Sequence, residues 1–265
     1  MLDQSGTEAT SELVQQYAAA GVRHVRLNTR GKGRALNAGL KLAAFDFVLI
    51  TDDDCVVAVD WVAVGTGLLS DDPQSLFTGR VLASGDPAAT PSTIDANEPA
   101  VYESALAAGN LYGGNMGFYR PYLLEIGGFD DVIAGSAVHA ASEDNELSYR
   151  WLRQGRRLRF EPELVVWHQD WRAPDDLRTL YVGYARGQGM FYGKHLRLGD
   201  WTMLRFLARD LYAGARGVAA AVVYRRRDAS DWRRGVFRGL PGGLVAGWRA
   251  YGRSSRRART PTSRS

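Results

Sequence analysis

An apolar run that ends in three consecutive aspartates, FDFVLITDDD at residues 45–54, constrains this chain more than any other feature. A run of that kind reads as a strand buried on both faces. Carboxylates at its carboxyl end stand where ligands bind in an open α/β sheet. The residues before it alternate in pattern. Thr10 or Ser11 can cap a helix that places Leu13, Val14, Tyr17 and Ala18 on one face, Gly21 suits its stop, and a strand follows at residues 22–27. A turn at Gly31 to Gly33 opens a short helix through Leu36, Leu40 and Ala43, which leads into the aspartate-bearing strand. Helix, strand, helix, strand predicts an α/β fold whose sheet is mixed, mainly parallel and flanked by helices.

Beyond the aspartates the pattern predicts a helix at 61–69, a strand at 76–82, a long loop at 85–99 with the character of a lid, and a helix at 142–152. Strand-like RLRF and LVVWH follow, then a helix at 174–192. Hydrophobic residues at 45% and charged ones at 23% describe a folded protein rather than a disordered chain. The single cysteine, Cys55, excludes an internal disulfide and a cysteine-based zinc site, and it fits a reducing compartment. The first ten residues are polar where a secretory signal is apolar, so export is not expected. Uncharged stretches such as 217–224 and 239–248 are shorter than the ~20 residues that span a bilayer, so no transmembrane helix is expected either.

Charge divides the chain in two. From residue 203 onward there are 15 Arg, no Lys, 3 Asp and no Glu, a balance of +12, which leaves −8 for the residues before it in a chain of net +4. The expected organisation is an α/β domain at 1–172, a basic helical tail at 173–254 and a disordered end at 255–265. Arginines interleave with apolar and aromatic residues in MLRFLARDLY, VVYRRR and DWRRGVFRGL. That mixture suits helices lying on an anionic membrane surface. The acidic body and the lack of a nucleic-acid-binding motif argue against nucleic acid as a partner.

Side chains two apart in an extended segment point the same way, so Asp52 and Asp54 can share one divalent cation while Asp53 faces the other side. A solvated acidic turn is the plainer explanation of the same residues. In SEDNELSYRWL, Ser142 can cap a helix whose first turn holds Glu143, Asp144 and Glu146, acids that the helix dipole favours. A carboxylate there can also serve as general base toward a sugar hydroxyl if the fold brings it near the cation. His168 ends an apolar run and can pack, cap or ligate; as a ligand it makes a mixed oxygen and nitrogen set that suits Mn2+ as well as Mg2+. Lys32 and Arg34 open a helix and can face a diphosphate or solvent, but the spacing is not that of a Walker loop, so ATP hydrolysis is not implied. Asn115 follows two glycines and can approach a sugar or close a turn.

In order, LDQSGTEAT, NTRGKGRALNAGL, FVLITDDDC, GGNMGFYR, IGGFDD, SEDNELSYRWLRQG and VVWH resemble family 2 of the inverting glycosyltransferases, enzymes of the Rossmann-like GT-A fold. The resemblance implies that Asp3 belongs to the acidic segment that reads the nucleotide base, with Glu8 closing it. It places Lys32, Arg34, Asn37 and Asp53 along the nucleotide. It makes Asp52, Asp54 and His168 the ligands of Mn2+ or Mg2+, and Asp144, beside Glu143, the catalytic base. Asn115 and Arg120 fall in the sugar and acceptor loop. The implied reaction is a single displacement that moves a sugar from a nucleotide-sugar donor to a hydroxyl on a surface polysaccharide or lipid-linked glycan, at the cytoplasmic face of the cell membrane. The family's usual opening strand and Thr-Tyr-Asn-like turn do not precede Asp3, and Gln4 stands for a second acid. The expectation is therefore an exposed sheet edge, and either a start that lies upstream or an impaired enzyme. Two alternatives follow: a noncatalytic homologue that binds a membrane or protein partner, and a metal-dependent nucleotidyltransferase supported by the aspartates alone.

Overall fold

The computed structural model describes residues 1–85, 93–133, 141–169, 174–224 and 230–257. Strand β1 (Leu2–Asp3) pairs in parallel with β2 (Val25–Arg26). Helix α1 (Ala9–Gln15) joins them and tightens into a 3-10 turn at Ala18–Ala20, which ends where Gly21 adopts a left-handed φ of 82°. Helix α2 (Lys32–Leu42) leads to β3 (Phe47–Thr51), whose last residue precedes the aspartate turn. Then come β4 (Cys55–Val57), α3 (Trp61–Asp71), β5 (Ser75–Ala83), β6 (Ala100–Tyr102), a 3-10 turn (Ala105–Asn110), β7 (Asn115–Tyr119), α4 (Arg120–Glu125), α5 (Glu143–Arg153) and β8 (Arg157–His168). RLRF and LVVWH are thus one strand.

The main sheet runs β3-β7-β5-β8-β4, with β6 on the other half of the β8 edge that β4 occupies. Its mixed character matches expectation, but parallel pairing within it is confined to β5 and β8; the other pairings are antiparallel. Strand β7 enters between β3 and β5 from a 3-10 turn and a glycine-rich segment and runs antiparallel to both. Strand β3 also differs from a fully buried strand. Among the described residues it pairs only with β7, Phe47 is 37% exposed, and the β1–β2 ladder stands apart from it, so this side presents the kind of exposed edge expected.

Three long helices complete the molecule: α6 (Pro174–Arg197), α7 (Met203–Tyr224) and α8 (Ser230–Arg257). They are part of the body rather than an appendage. Phe191, Tyr192, Phe206, Val236 and Leu240 are buried in the same cluster as Leu76, Met116, Phe118 and Leu147 of the α/β layer. Helix α8 runs three residues into the segment expected to be unstructured, and residues 258–265 lie outside the described ones. Among the described residues no helix is long and apolar enough to cross a membrane.

The α6–α8 pairing rests on glycines four residues apart. A Cβ at Gly243 would stand 2.0 Å from the Arg186 carbonyl oxygen, one at Gly247 2.2 Å from that of Met190, and one at Gly193 2.1 Å from that of Leu244. Backbone meets backbone, so any side chain there would push the helices apart.

A buried ionic cluster fastens these helices to α5. The fully buried Glu146 carboxylate accepts from Arg150 at 2.8 Å and from Lys194 and His195 of α6. Lys194 also reaches Asp130 at 2.7 Å, and the Tyr251 hydroxyl of α8 donates to the same aspartate. Burial alone would raise Glu146, yet the hydrogen bond from His195 and the charges of Arg150 and Lys194 outweigh it and bring the carboxyl from 4.5 to about 2. A depressed carboxylate contributes stability that is fully present above its unfolded value and is lost as pH falls toward the folded one. Glu146→Gln is therefore expected to destabilise the protein by about 3 kcal/mol near neutral pH. In urea denaturation the gap between variant and wild type should narrow as pH drops from about 4.5 toward about 2.

Candidate functional site

Strand β3 delivers the aspartate turn to the carboxyl end of the sheet, and a Cys55 N–H to Asp52 carbonyl bond of 3.2 Å closes that turn into β4. From the other side, the first turn of α5 brings Glu143 and Asp144. Lys32, the first residue of α2, joins the two. Its ammonium lies 2.6 and 2.8 Å from the two oxygens of Asp52 and 3.8 Å from Glu143. Burial opposes its charge, but Asp52, Glu143 and Asp144 together raise its pKa and keep it protonated. Between these groups runs the backbone of Gly113 and Gly114. A Cβ on Gly113 would meet Asp144 at 3.3 Å and Lys32 at 3.5 Å, and one on Gly114 would meet Asp52 at 2.7 Å. The glycines let the acids and the lysine converge.

These residues line a cleft of about 610 Å³ together with Asp53, Asp54, Thr93, Ile94, Tyr112, Asn145, Tyr184 and Gln188. Asp144 accepts from the Gly113 N–H at 3.2 Å and from the Asn145 N–H at 2.7 Å, which fixes its carboxylate. Burial raises the pKa of Asp144 against the opposing charge of Lys32. Burial and the neighbouring Asp144 charge push Glu143 up to about 7. Two raised carboxyls side by side in a cleft are candidates for acid–base chemistry. Burial and the charges of Asp52 and Asp54 push the Cys55 thiol up to about 12, which disfavours its thiolate.

The expected three-ligand metal set is only partly assembled. His168 Nε2 lies 3.4 Å from Asp54 because Cys55 pairs with His168 across the β4–β8 ladder, and its buried Nδ1 has no hydrogen-bond partner among the described residues. Asp52 instead turns both oxygens to Lys32. Among the described residues no group of three or more His, Cys, Asp or Glu side chains is arranged to hold a metal ion. The Lys32 ammonium supplies Asp52 with the positive partner that a cation would otherwise provide. The carboxylate and imidazole of Asp54 and His168 are nonetheless a donor pair that suits Mn2+.

Other expected site residues stand elsewhere. Asn115 is buried inside the sheet, where Oδ1 accepts from Trp61 at 2.9 Å and Nδ2 donates to the carbonyls of Arg80 and Leu164 at 3.0 and 2.8 Å. Its amide makes three hydrogen bonds within the sheet. Arg120 pairs with Asp46 at 2.9 Å, away from the cleft lining. Asn37 grips the 129–131 segment through the Phe129 backbone and Asp131, and Arg34 is exposed outside the lining. Asp3 also lies outside it, held to about 2 by the Ser5 N–H and His24, while Glu8 pairs with Arg26 at 2.5 Å. Gln4 donates to the Gly31 carbonyl at 3.2 Å and so ties the first strand to the Lys32 turn. Sequence reasoning missed Tyr112, Tyr184 and Gln188. Tyr112 stood one residue before a glycine pair already singled out, whereas Tyr184 and Gln188 come from a helix read as tail.

Asn115→Ala would leave the Trp61 N–H and two buried carbonyls without partners, a loss of about 3 kcal/mol. The expected result is a lower urea midpoint with ligand affinity of the folded fraction unchanged; unchanged stability with lost affinity would return Asn115 to the ligand.

Residues 1–124 match the family model described as Glycosyl transferase family 2. A glucosyl-dolichyl phosphate glucuronosyltransferase of Haloferax volcanii is 23% identical over 180 residues, which cover 62% of this chain and 58% of that protein. The chain therefore spans little more than half the length of that relative. In structure it is similar to a mannosyltransferase of Pyrobaculum calidifontis in complex with GDP-Man and Mn2+, with TM-score 0.53 and 18% identity over 94% of this chain and 76% of that one. It is also similar to GalNAc-T7 with UDP, GalNAc and Mn2+, with TM-score 0.50 and 19% identity over 74% of this chain and 43% of the other. The aspartate turn, the glycine-lined cleft and these likenesses agree: residues 1–124 are similar to a family 2 glycosyltransferase domain, and the fold is GT-A-like.

Proposed function

We propose that this chain moves a sugar from a nucleoside-diphosphate sugar to a hydroxyl acceptor by a single displacement with inversion. The observation that carries the reading is the convergence, in one cleft, of the aspartate turn after β3, Lys32 at the start of α2 and the paired acids at the start of α5. Asp144 is the base. Its carboxylate is oriented by two backbone N–H groups, which leaves lone pairs for an acceptor hydroxyl entering past Tyr184 and Gln188. Taking that proton lets the hydroxyl oxygen form the new bond at the anomeric carbon as the bond to the diphosphate breaks. Lys32 faces the side of the leaving group, where its charge opposes the negative charge that develops there. Asp54 and His168, with Asp52 beside them, are the residues that would hold Mn2+ or Mg2+. When bound, such an ion neutralises the departing nucleoside diphosphate.

A surface polysaccharide or lipid-linked glycan as acceptor fits an enzyme lying on the inner face of a cell membrane. Support comes from α7, where Leu204, Leu211, Tyr212 and Val218 are exposed on one side, Trp201 is exposed just before it, and Arg205 and Arg216 flank the same face. Aromatic and aliphatic side chains beside arginines suit an anionic lipid interface.

Asp144→Asn is expected to lower kcat by about 10²- to 10⁴-fold while donor binding persists. The working form of the base is the carboxylate and burial raises its pKa, so wild-type kcat should fall as pH drops through a limb above the ordinary aspartate value of 3.8. Full turnover in Asp144→Asn would reject the base, and donor binding without turnover in the wild type would indicate a noncatalytic homologue. In a vesicle flotation assay, wild type should float with anionic but not neutral vesicles, and Leu204→Glu with Leu211→Glu should remove most of that binding. Equal flotation of variant and wild type would sink the membrane reading.

A further inference from the structure

The first turn of α5, which carries both acids of the cleft, begins in an unfavourable conformation. Ser142 has φ 80° and ψ 18°, and it is the non-glycine residue with positive φ among the described residues. Such a conformation costs about 1–2 kcal/mol for a residue with a Cβ and persists only where the surroundings enforce it. Ser142 is buried, yet its hydroxyl does not cap the helix it precedes. It donates instead to Gln188 Oε1 of α6 at 3.0 Å. The same oxygen accepts from Asn145 Nδ2 at 2.9 Å, on the other side of Glu143 and Asp144. One amide oxygen therefore holds the turn at both ends.

Gln188 is itself held. Its Nε2 donates to the Tyr192 hydroxyl at 2.7 Å, and that hydroxyl donates to Asp210 of α7 at 2.5 Å. This chain of donors settles which end of the amide faces α5. The backbone closes in at the same place: a Cβ at Gly187 would lie 1.9 Å from the Ala141 carbonyl oxygen, so α6 presses on the residue just before Ser142.

We propose that Gln188 is a positioning residue for Asp144, holding the Ser142–Asn145 turn so that the base carboxylate keeps its aim into the cleft, with Tyr192 and Asp210 as its support. The inference rests on the reading of Asp144 as base. A misplacement of about 1 Å at a reacting group lowers rate by about 10²-fold, so the loss of a single clamp has a large expected effect on kcat and a small one on donor KM.

The test compares wild type, Gln188→Met, which fills the space without the hydrogen bonds, and Gln188→Glu, which keeps the acceptor oxygen. Amide hydrogen exchange is read along α5, and kcat and donor KM are read with Mn2+ and a nucleotide sugar. The expected result for Gln188→Met is faster exchange at residues 143–145 with the later turns of α5 unchanged, and kcat down by about 10- to 100-fold at a KM within about twofold. Gln188→Glu should restore the exchange protection. Unchanged exchange at 143–145 in Gln188→Met would overturn the clamp, as would faster exchange with unaltered kcat. Exchange that rises evenly along α5 would reduce Gln188 to a general structural contact. If wild type transfers no sugar, the proposed function fails, while the exchange comparison still decides whether Gln188 holds the turn.

Discussion

The architecture of the cleft depends on one ammonium group. Asp52, Asp54, Glu143 and Asp144 bring four carboxyls toward a common space, and without a positive partner they would repel or take up protons. Lys32 lies against Asp52 and near Glu143, so the end of β3 and the start of α5 are tied together through the first residue of α2. The pair is half-buried, so solvent screens it in part. Burial of the acids themselves raises Asp144 and brings Glu143 to about 7, against the opposing charge of Lys32. Stability of the site and readiness of the base thus come from the same three elements.

The arginine-rich helices do more than carry charge. Helix α6 is wedged between α5 and α8, fastened to the first by Glu146, Lys194 and His195 and to the second by backbone contact at glycines. Tyr251 of α8 reaches Asp130, which shares the Lys194 ammonium with Glu146 of α5, so both helices brace the element that bears the acids. A helical layer of this kind serves two surfaces. Its inner side supports the cleft, and α7 leaves an apolar face outward.

Much of this was legible in the residues. The aspartate turn, the acid pair at the head of α5 and the lysine at the head of α2 lay in short segments whose local pattern already placed them at element ends, and the ends of adjacent elements are what an α/β fold gathers. The contacts of Asn115 and Asn37 were not legible, because an amide after a glycine pair or within a basic helix has the same local signature whether it faces a ligand or a carbonyl. What separates the two is the neighbour across the sheet: Trp61, Arg80 and Leu164 for one, the Phe129 backbone for the other. The antiparallel entry of β7 was equally hidden, since strand direction depends on pairing partners more than sixty residues away.

The sequence by itself determined which elements form and where their chemistry sits, because helix starts, strand ends and glycine turns obey short-range rules. Only the tertiary structure decided that Lys32 would face Asp52, that Gln188 would hold Ser142, and that the basic helices would share the core. Those outcomes depend on contacts between residues 20 to about 46 apart or more, and no local pattern encodes which of many possible partners a side chain will meet.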